Sequence, residues 1–494
     1  MNDQKLKKKP IRNLLTLKEL FKDSGDVIFE TYSFGESIYQ HDVTFLFCNG
    51  LVDDQMLNEV IYERFDNFFK KLKKEKIEET DIFRNLYIQG VRRIQHDEEA
   101  IESIFSGQLL TYFHKENFVF SIDISSRPQR KTEETNTEVA IKGPRDNFIE
   151  DLSTNIALIR KRLRTNSLVL RKYVVGKRSK TEIAVLFIKD IANPEILTEL
   201  EKSIKNIDID GIYSGRQVHE LIIKRPFNVF PTFHYTGRPD FAVNSLLVGR
   251  FILFVDGVPY ALIVPVNFGF LLKTSEDTES VYIYNSWERI LRFLALLVSI
   301  YLPGFHIALT SYHQNQIPII FLGTIVESSK GVPFPAPLEA LIMLFLFEIF
   351  REAGLRLPLA IGQTLSVVGG LIIGEAAIRA GLASPLTIVI IAISAVATYT
   401  LVNVALHGIV SVLRFFVLIF VSFFGFFGFF VSVYVVLFYM ANIQTLGVPY
   451  LTVPSVAKAR PILKTFLRLP EQKYAKRAQF LKTKDATRQP NRKE

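Results

Sequence analysis

Cysteine is almost absent from this sequence of 494 residues, which contains only Cys48. A single thiol can form neither an intrachain disulfide nor a zinc site built of cysteines. Histidine does not replace it, because His306, His313 and His407 show no spacing typical of metal ligands. We therefore expect no disulfide framework and no metal centre.

Enzyme motifs are also missing from the sequence. H-E-x-x-H, G-x-S-x-G and the dinucleotide fingerprint do not occur, and GKRSKT at 176–181 lacks the G-x-x-x-x-G-K-[ST] pattern of a phosphate-binding loop. These patterns place nucleophiles, metal ligands or phosphate-binding amides at fixed offsets, so their absence argues against those chemistries. We expect no enzymatic activity and no cofactor.

The net charge of +9 is confined to one end of the chain. Residues 441–494 hold 12 Lys/Arg against 3 Asp/Glu, which leaves 47 of each sign in residues 1–440. A basic tail after membrane spans is predicted to lie in the cytosol, and those adjacent spans argue against nucleic-acid binding. Residues 1–25 are basic without the apolar core of a secretory signal, which indicates a flexible cytosolic arm.

Apolar residues are distributed unevenly. Residues 1–280 read as globular sequence, whereas 287–440 are dense in Leu, Ile, Val and Phe. In the first part, predicted strands such as VIFETYSF alternate with predicted helices such as residues 54–72. We expect a cytosolic α/β region of two small mixed subdomains, followed by an all-α multi-span membrane domain. The predicted bounds are 26–124 for the first subdomain, 125–145 for a linker and 146–280 for the second subdomain.

The clearest local signal is FILFV-DG-VPYALIV at 251–264. Asp256 and Gly257 lie between two apolar runs. This arrangement predicts a tight type I′ hairpin, in which both turn residues need a positive φ.

The membrane domain, 287–440, contains four segments long enough to cross a bilayer, which takes about 20 residues. Residues 317–353 are predicted to form a re-entrant or interfacial hairpin, because 317–326 is too short to cross. Trp287, Arg289 and Arg292 predict anchoring of the first span at the cytosolic interface. The four predicted spans are residues 287–309, 358–378, 385–407 and 412–440.

Ionisable residues are concentrated between Gly331 and Gly381, within otherwise apolar sequence. Each costs about 2.5–3.5 kcal/mol on insertion scales, so several of them indicate a solute or ion path. Prolines and Gly354 interrupt the same region, and interrupted backbone is tolerated in a bilayer only where protein or water satisfies its polar groups. The polar side chains concerned are Glu339, Glu348, Arg351, Glu352, Arg356, Gln363, Glu375 and Arg379.

Two stripes run along the predicted helix 359–381. One consists of small residues that let another helix approach closely, Gly362, Ser366, Gly370 and Gly374. The next face carries Gln363, Val367, Leu371, Glu375 and Arg379. If it lines a pore, Val367 and Leu371 are a hydrophobic constriction, and Gln363 and Glu375 are its wetted mouths. A packed helix whose Glu375–Arg379 pair reaches the interface explains these residues equally well.

A charge cluster lies at the end of the preceding segment. Glu348, Arg351 and Glu352 are spaced i, i+3 and i+4, so one arginine can neutralise two carboxylates on one helix face. The cluster either coordinates or gates ions, or holds the chain break at 354–358 in shape, and the residues alone favour the second role.

Two further predictions concern single features of this region. Glu339 follows Pro337 in a first helical turn, where a carboxylate is predicted to cap its own helix. The run SFFGFFGFF at 422–430 is predicted to face lipid, with Gly425 and Gly428 permitting close contact.

Several long motifs occur along the chain. They are GPRDNFIEDLSTNIALIRKRLR (143–164), GRPDF (237–241), VDGVPYALIVP (255–265), GVPFPAPLEAL (331–341), FEIFREAGLRLP (347–358), IGQTLSVVGGLIIGEAAIRAGLASP (361–385) and TLGVPYL (445–451). These motifs resemble the A subunits of the GerA family, the spore germinant receptors of endospore-forming bacteria, and occur in the right order over about residues 27–460. Two stretches depart from the family pattern: 397–408 lacks a usual proline, and 439–447 lacks a frequent histidine.

This resemblance implies a multi-pass protein of the spore inner membrane that works with a multi-spanning B subunit and a lipoprotein C subunit. It implies that the B subunit senses the nutrient, while the A subunit forms a ring-shaped homo-oligomer, a pentamer, that conducts cations. It also makes the helix carrying SVVGG the natural pore-lining candidate, which favours the Val367/Leu371 constriction.

Two other functions fit the residues less well. A secondary transporter usually carries internal repeats, and the membrane segments show no matching pair of broken helices. The second alternative is a non-conducting scaffold subunit of the receptor, whose cytosolic domains only recruit partners. The leading hypothesis is a channel-forming receptor subunit.

Overall fold

The computed structural model describes residues 10–11, 13–35, 39–72, 74, 76–126, 144–223, 228–356, 374–451, 467–468, 470–473 and 476–489. Contacts divide the chain into two units. The first comprises Met1–Pro226, Phe233–Pro265 and Tyr474–Glu494, and the second comprises Phe227–Thr232 and Val266–Lys473.

The first subdomain of the first unit folds around a five-stranded antiparallel sheet with the order β1-β2-β4-β5-β3. Its strand β2 is buried on both faces, as its nearly continuous apolar run requires. Phe45 packs in one core with Phe65, whereas Leu46 and Cys48 pack in the other core with Phe105. The elements are α1 (Leu14–Leu20), β1 (Val27–Phe34), β2 (His41–Cys48), a π-helical turn (Met56–Ile61) leading into α2 (Tyr62–Leu72), α3 (Glu79–Asn85), β3 (Arg92–Arg93), α4 (Asp97–Phe105), β4 (Gln108–Phe113) and β5 (Phe118–Asp123).

The second subdomain repeats this topology. Its sheet has the order β6-β7-β9-β10-β8, so the first, second, fourth, fifth and third strands lie side by side in both sheets. Helices and strands also follow one another in the same order along the chain, which confirms the predicted mixed α/β class and shows a duplicated fold. The elements are α5 (Leu152–Arg162), β6 (Leu168–Val175), β7 (Thr181–Ile188), α6 (Pro194–Lys205), α7 (Gly215–Ile222), β8 (His234–Thr236), α8 (Pro239–Val248), β9 (Phe251–Val255) and β10 (Ala261–Val264).

The predicted hairpin at 251–264 is present, but its predicted turn type is wrong. Leu253 of β9 pairs with Leu262 of β10, and five residues lie between the end of β9 at Val255 and the start of β10 at Ala261. Gly257 has a φ of +77°, whereas Asp256 is not among the residues of positive φ. A type I′ turn needs both. The wider loop keeps only the glycine in the left-handed region.

A buried ion pair joins the two subdomains. The Arg160 guanidinium of α5 donates from Nε and Nη2 to the two carboxylate oxygens of Asp26, at 2.7 Å each. It also lies 4.3 Å from the Phe105 ring centroid. Burial, together with the Asp26 carboxylate 3.3 Å away, raises the pKa of the Cys48 thiol well above its ordinary value. The thiol therefore stays protonated and acts as a small core side chain.

A segment from the far end of the chain completes the second subdomain. Residues 476–489 lie within the first unit, and the side chain of Leu481 is fully buried. The Lys484 backbone amide donates to the Ile191 carbonyl at 3.0 Å, and the Asn193 side-chain amide donates to the Leu481 carbonyl at 3.3 Å. The predicted C-terminal tail 441–494 thus includes a packed structural element.

The first subdomain closes in the same way with residues that directly follow β5. There the Ser126 amide donates to the Leu51 carbonyl at 2.9 Å. Leu51 and Ile191 each stand three residues after the second strand of their sheet, so Lys484 takes the place of Ser126. The chain of the second unit is therefore inserted between β10 and the segment that closes its subdomain.

We expect Gly249→Ala to loosen this closing segment. Gly249 has a φ of +99°, and a Cβ there would overlap the Thr483 side chain. The overlap costs about 1–3 kcal/mol, so hydrogen–deuterium exchange of 476–489 in the full chain should rise. Gly257→Ala is the matched control, since Gly257 has a φ of +77° and open space around its Cβ position. Equal exchange in the two variants would contradict the contact.

The second unit is built of helices. A helix of 21 residues spans about 30 Å, so α12 (Ala336–Arg356) is as long as a bilayer core. All but its last three residues belong to the region 317–353, predicted to be re-entrant or interfacial. The predicted span 358–378 lies largely outside the described residues, and 374–379 are helical. The helices are α9 (Phe268–Leu271), α10 (Tyr282–Ile307, continued by a π-helical turn at Ala308–Tyr312), α11 (Ile319–Ser328), α12 (Ala336–Arg356), α13 (Pro385–Tyr399) and α14 (Val404–Asn442).

Helix α14 is two helices that meet at Gly425. This residue has φ +56° and ψ −135°, which is outside the helical region. A Cβ on Gly428 would touch the carbonyl oxygen of Phe420, although eight residues of straight helix rise about 12 Å. The chain therefore folds back on itself at Gly425, within the segment predicted as one span at 412–440.

The first half of α14 runs parallel to α10. Arg414 contacts the Ser299 carbonyl, and further along both helices the Tyr312 hydroxyl donates to the Ser422 carbonyl. Residue numbers therefore increase together along the two helices.

The second half of α14 runs back along α10. The Phe426 ring lies 5.7 Å from that of Phe305, and the Phe429 ring lies 5.9 Å from that of Tyr301. Here the numbers change in opposite directions, as the reversal at Gly425 requires. The two halves form a helical hairpin against one helix.

Candidate functional site

The predicted gate and packing stripe fall mostly outside the described residues, including Gln363, Val367 and Leu371 as well as Gly362, Ser366 and Gly370. Glu375 and Gly374 are described. The Arg379 guanidinium donates to the Glu375 carboxylate at 2.6 Å, and both side chains are exposed. A Cβ on Gly374 would be 3.7 Å from the Ile388 side chain. Gly374 thus faces α13, while the charged pair points away from the bundle.

The charge cluster on α12 contacts another helix. Glu348 and Arg351 form an ion pair, and the Ser411 hydroxyl of α14 bridges them by donating to Glu348 and accepting from Arg351 at 3.2 Å. Glu352 lies on the exposed side of the helix. The cluster therefore ties α12 to α14, which its spacing within one helix could not reveal.

Glu339 caps a different helix from the one predicted. Its carboxylate accepts from the Ser384 amide at 2.6 Å and from the Ser384 hydroxyl at 2.8 Å, at the start of α13. Only 2% of Glu339 is exposed. The free N–H groups of a helix start attract a carboxylate whichever helix carries it, and tertiary packing brings α13 closer than the first turn of α12.

The arginines at the start of α10 form buried ion pairs. Arg289 and Arg292 both pair with Asp277, whose carboxylate is buried, at 2.7 and 3.1 Å. They hold the turn at Ser275–Thr278 against the helix, whereas Trp287 is exposed. The interfacial anchoring of these three residues remains a prediction.

Sequence reasoning missed a polar cluster in the middle of the helices. Arg414 of α14 is 3% exposed. It donates from Nε to the Ser299 carbonyl of α10 at 2.8 Å and from Nη2 to the Thr398 hydroxyl of α13 at 2.7 Å. Ser394 of α13 donates to the same Ser299 carbonyl at 2.9 Å. Two signals were available in the sequence: Arg414 is an ionisable residue within the predicted span 412–440, and Pro303 lies four residues after Ser299.

Helix α13 shows the polarity of the bundle most clearly. Its buried positions are Thr387, Ile391, Ser394 and Thr398, three of them polar. Its outward positions include Val389, Ile393 and Val396, all of which are largely exposed. Polar residues inside and apolar residues outside are typical of helices that face lipid and are joined by interhelical hydrogen bonds.

Length and composition identify the helices able to cross a membrane. In the described part of the chain, Tyr282–Tyr312 and Val404–Asn442 are long and apolar enough, and Ile319–Ser328 and Pro385–Tyr399 are shorter apolar helices. In the same part, no three His, Cys, Asp or Glu side chains are grouped so that they could hold a metal ion.

Several known proteins similar to this chain are spore germination proteins. Spore germination protein XA of Bacillus anthracis is 42% identical over 450 residues, 90% of this chain and 91% of that protein. Spore germination protein B1 of Bacillus subtilis (strain 168) is 34% identical over 459 residues, 93% of this chain and 94% of that protein. The crystal structure of the N-terminal domain of the A subunit of the Bacillus megaterium spore germinant receptor GerK3 matches with 28% identity and a TM-score of 0.41, covering 53% of this chain and 98% of that one.

The family comparison covers nearly the whole chain. The model of the Bacillus/Clostridium GerA spore germination protein matches residues 15–480. This confirms the resemblance found in the motifs. The chain belongs to the GerA family of spore germination proteins.

Proposed function

We propose that this chain is the channel-forming A subunit of a nutrient-responsive spore germinant receptor, and that it triggers germination by releasing ions across the spore inner membrane. Membership of the GerA family supports a role in germination. The observation that carries the channel hypothesis is the buried polar interior of helices whose outer faces are apolar, as in α13. Ionisable groups at membrane depth are retained chiefly where they serve an ion or solute path.

The membrane topology in this proposal has six crossings, instead of the four predicted from sequence. Helix α10 runs parallel to the first half of α14. Helix α13 runs antiparallel to that half, because only Thr400–Asn403 connect the two and Tyr399 packs against His407. Helices α12 and α13 begin at the same end of the bundle, because Glu339 near the start of α12 binds Ser384 at the start of α13. Further along α12, Glu348 binds Ser411, which is near the start of α14.

The remaining crossing follows from chain connectivity. Because α12 and α13 run in the same direction, the sixth crossing in this proposal is the span predicted at 358–378, which lies largely outside the described residues. Six is even, so both chain ends lie on one side. The closing segment 476–489, which belongs to the same unit as the N-terminal subdomains, supports that arrangement, and the basic residues around it support the cytosol as that side.

The partners in this proposal are a B subunit that senses the nutrient, a lipoprotein C subunit and further copies of the chain in a pentameric ring. The ring places the helices 359–381 around an axis, with Val367 and Leu371 as a constriction that opens by wetting. Glu375, exposed in a single chain, lies at one mouth. Nutrient binding shifts the packing around this helix.

Leu371→Ala and Val367→Ala should each make dormant spores release cations without nutrient, because a smaller side chain widens and wets a hydrophobic constriction. Potassium release from nutrient-free spores measures the effect. Val389→Ala is the control, because Val389 is an exposed apolar residue of α13. Dormant spores with normal ion retention in both gate variants would show that this face is not the gate.

Reconstitution separates the channel from its rivals. The complete receptor in planar bilayers should give nutrient-dependent currents. Saturable exchange of solutes without single-channel steps would favour a transporter. The absence of current with every nutrient that germinates the parent spores would favour a non-conducting scaffold.

A further inference from the structure

Pro303 leaves an unpaired acceptor inside helix α10. Proline has no N–H, so the carbonyl four residues earlier, that of Ser299, loses its donor within the helix. Pro303 lies inside Tyr282–Ile307, and Ser299 is completely buried. A carbonyl without a partner is expensive where no water reaches it. Its hydrogen bonds therefore have to come from other helices.

Two side chains supply them. The Arg414 Nε of α14 lies 2.8 Å from the Ser299 oxygen, and the Ser394 hydroxyl of α13 lies 2.9 Å from it. Arg414 then uses Nη2 to reach the Thr398 hydroxyl at 2.7 Å. One carbonyl and one guanidinium thus connect three helices.

The charge of Arg414 is stabilised by the dipoles of the Ser299 carbonyl and the Thr398 hydroxyl. Among the residues that the structure describes, no carboxylate forms an ion pair with it, and Glu348 is paired with Arg351 instead. A charged donor forms stronger hydrogen bonds than a neutral one, which suits a carbonyl freed by proline. The helices also approach closely here, because a Cβ on Gly304 would lie 2.8 Å from a Val417 methyl group.

We propose that Arg414 is a positioning residue of the membrane region: its guanidinium replaces the N–H that Pro303 lacks and holds α10 against α13 and the first half of α14. The three helices then move as one block. That these three helices form the fixed part of a channel rests on the proposed function. The contact itself can be tested without any conduction.

The test is a double-mutant cycle on the full chain in detergent, read as the midpoint of thermal unfolding. Arg414→Met should lower the midpoint by roughly 5–10 °C, since removing one partner leaves buried polar groups unpaired. Pro303→Ala restores an N–H that can bond to the Ser299 carbonyl within the helix. In that background, Arg414→Met should cost less than half as much. An arginine that acts only through its bulk gives no such rescue.

Arg414→Lys completes the design and replaces the methionine variant if that protein does not accumulate. Lysine keeps the charge but lacks the fork that reaches the Ser299 carbonyl and the Thr398 hydroxyl together. We expect an intermediate loss that Pro303→Ala also reduces. Equal losses in the two backgrounds, for either substitution, would overturn the proposal. That result would leave the channel hypothesis intact, and absent currents would leave this cycle intact.

Discussion

Replacing Arg160 with methionine should lower the free energy of unfolding of the first unit by about 3–5 kcal/mol, because it breaks a buried ion pair and leaves one charge without its partner. Arg160 has no exposed side-chain surface, and Asp26 has 4%. The carboxylate of Asp26 loses both guanidinium donors and, among the residues that the structure describes, keeps only the weak thiol of Cys48. Neither water nor another cation replaces them in so closed a space.

The loss extends beyond the pair. Arg160 also donates from Nη1 to the Thr165 carbonyl at 3.1 Å and lies over the Phe105 ring. Methionine keeps much of the volume of the arginine stem, so the expected effect measures the polar contacts and not a large cavity. The readout is hydrogen–deuterium exchange of β1 and α5 in the full chain, together with its thermal unfolding.

Arg162 provides a matched control two residues along the same helix. Its guanidinium also binds an aspartate through both oxygens, at 2.7 and 2.6 Å to Asp146, but about a fifth of each side chain is exposed. Arg162→Met should therefore cost at most about 1 kcal/mol. A second control is Asp26→Asn combined with Arg160→Met, which removes the orphaned charge and should recover part of the loss. Similar losses for both arginines would contradict the buried pair as the link between the subdomains.

Local sequence patterns predicted the elements of the first unit because the spacing of apolar residues along each strand and helix reflects which of its faces is buried. In VTFLFCNGLV apolar residues occur at both odd and even positions, which point to opposite faces of a strand, and β2 is buried on both faces. The pair Asp26–Arg160 could not be predicted in this way, since 134 residues separate its members. Neither residue carries a local signal, and only the packing of α5 on the first subdomain brings them together.

The duplication of the fold could not be predicted from the sequence, for a related reason. The two sheets have the same strand order, but the segment that closes the second sheet lies more than two hundred residues beyond β10. Composition assigned those residues to a basic tail, because Lys484 and Arg477 look like solvated charges. Arg477 instead donates to the Leu247 carbonyl at 2.9 Å and pairs with Asp485. A basic residue shows its role only when the surface beneath it is known.

Charges between the membrane helices were foreseen, but their partners were not. Helical spacing correctly brought Glu348 and Arg351 together, because i and i+3 are neighbours on any helix. It could not indicate Ser411, or the capping of α13 by Glu339, because both contacts depend on how helices pack. The gate residues Gln363, Val367 and Leu371 remain predictions.

Gly425→Ala should destabilise the second unit by about 2–6 kcal/mol. The backbone at Gly425, with φ +56° and ψ −135°, is close to a region that only glycine occupies without strain, at a cost of about 1–3 kcal/mol for other residues. A methyl group would also lie 2.9 Å from the Tyr312 ring, and such overpacking adds about 1–3 kcal/mol. From sequence, Gly425 permits close contact of a straight helix. From structure, it reverses the chain.

Gly408→Ala distinguishes these two roles, because Gly408 lies in the first half of the same hairpin with no atom within 4 Å of its Cβ position. An ordinary helical glycine gains about 0.5–1 kcal/mol on replacement by alanine, so this variant should be neutral or slightly more stable. Thermal unfolding of both full-length variants in the same detergent gives the comparison, with opposite signs expected. If Gly425→Ala also raised the midpoint, α14 would be one continuous helix, and the path of six crossings would lose its last return.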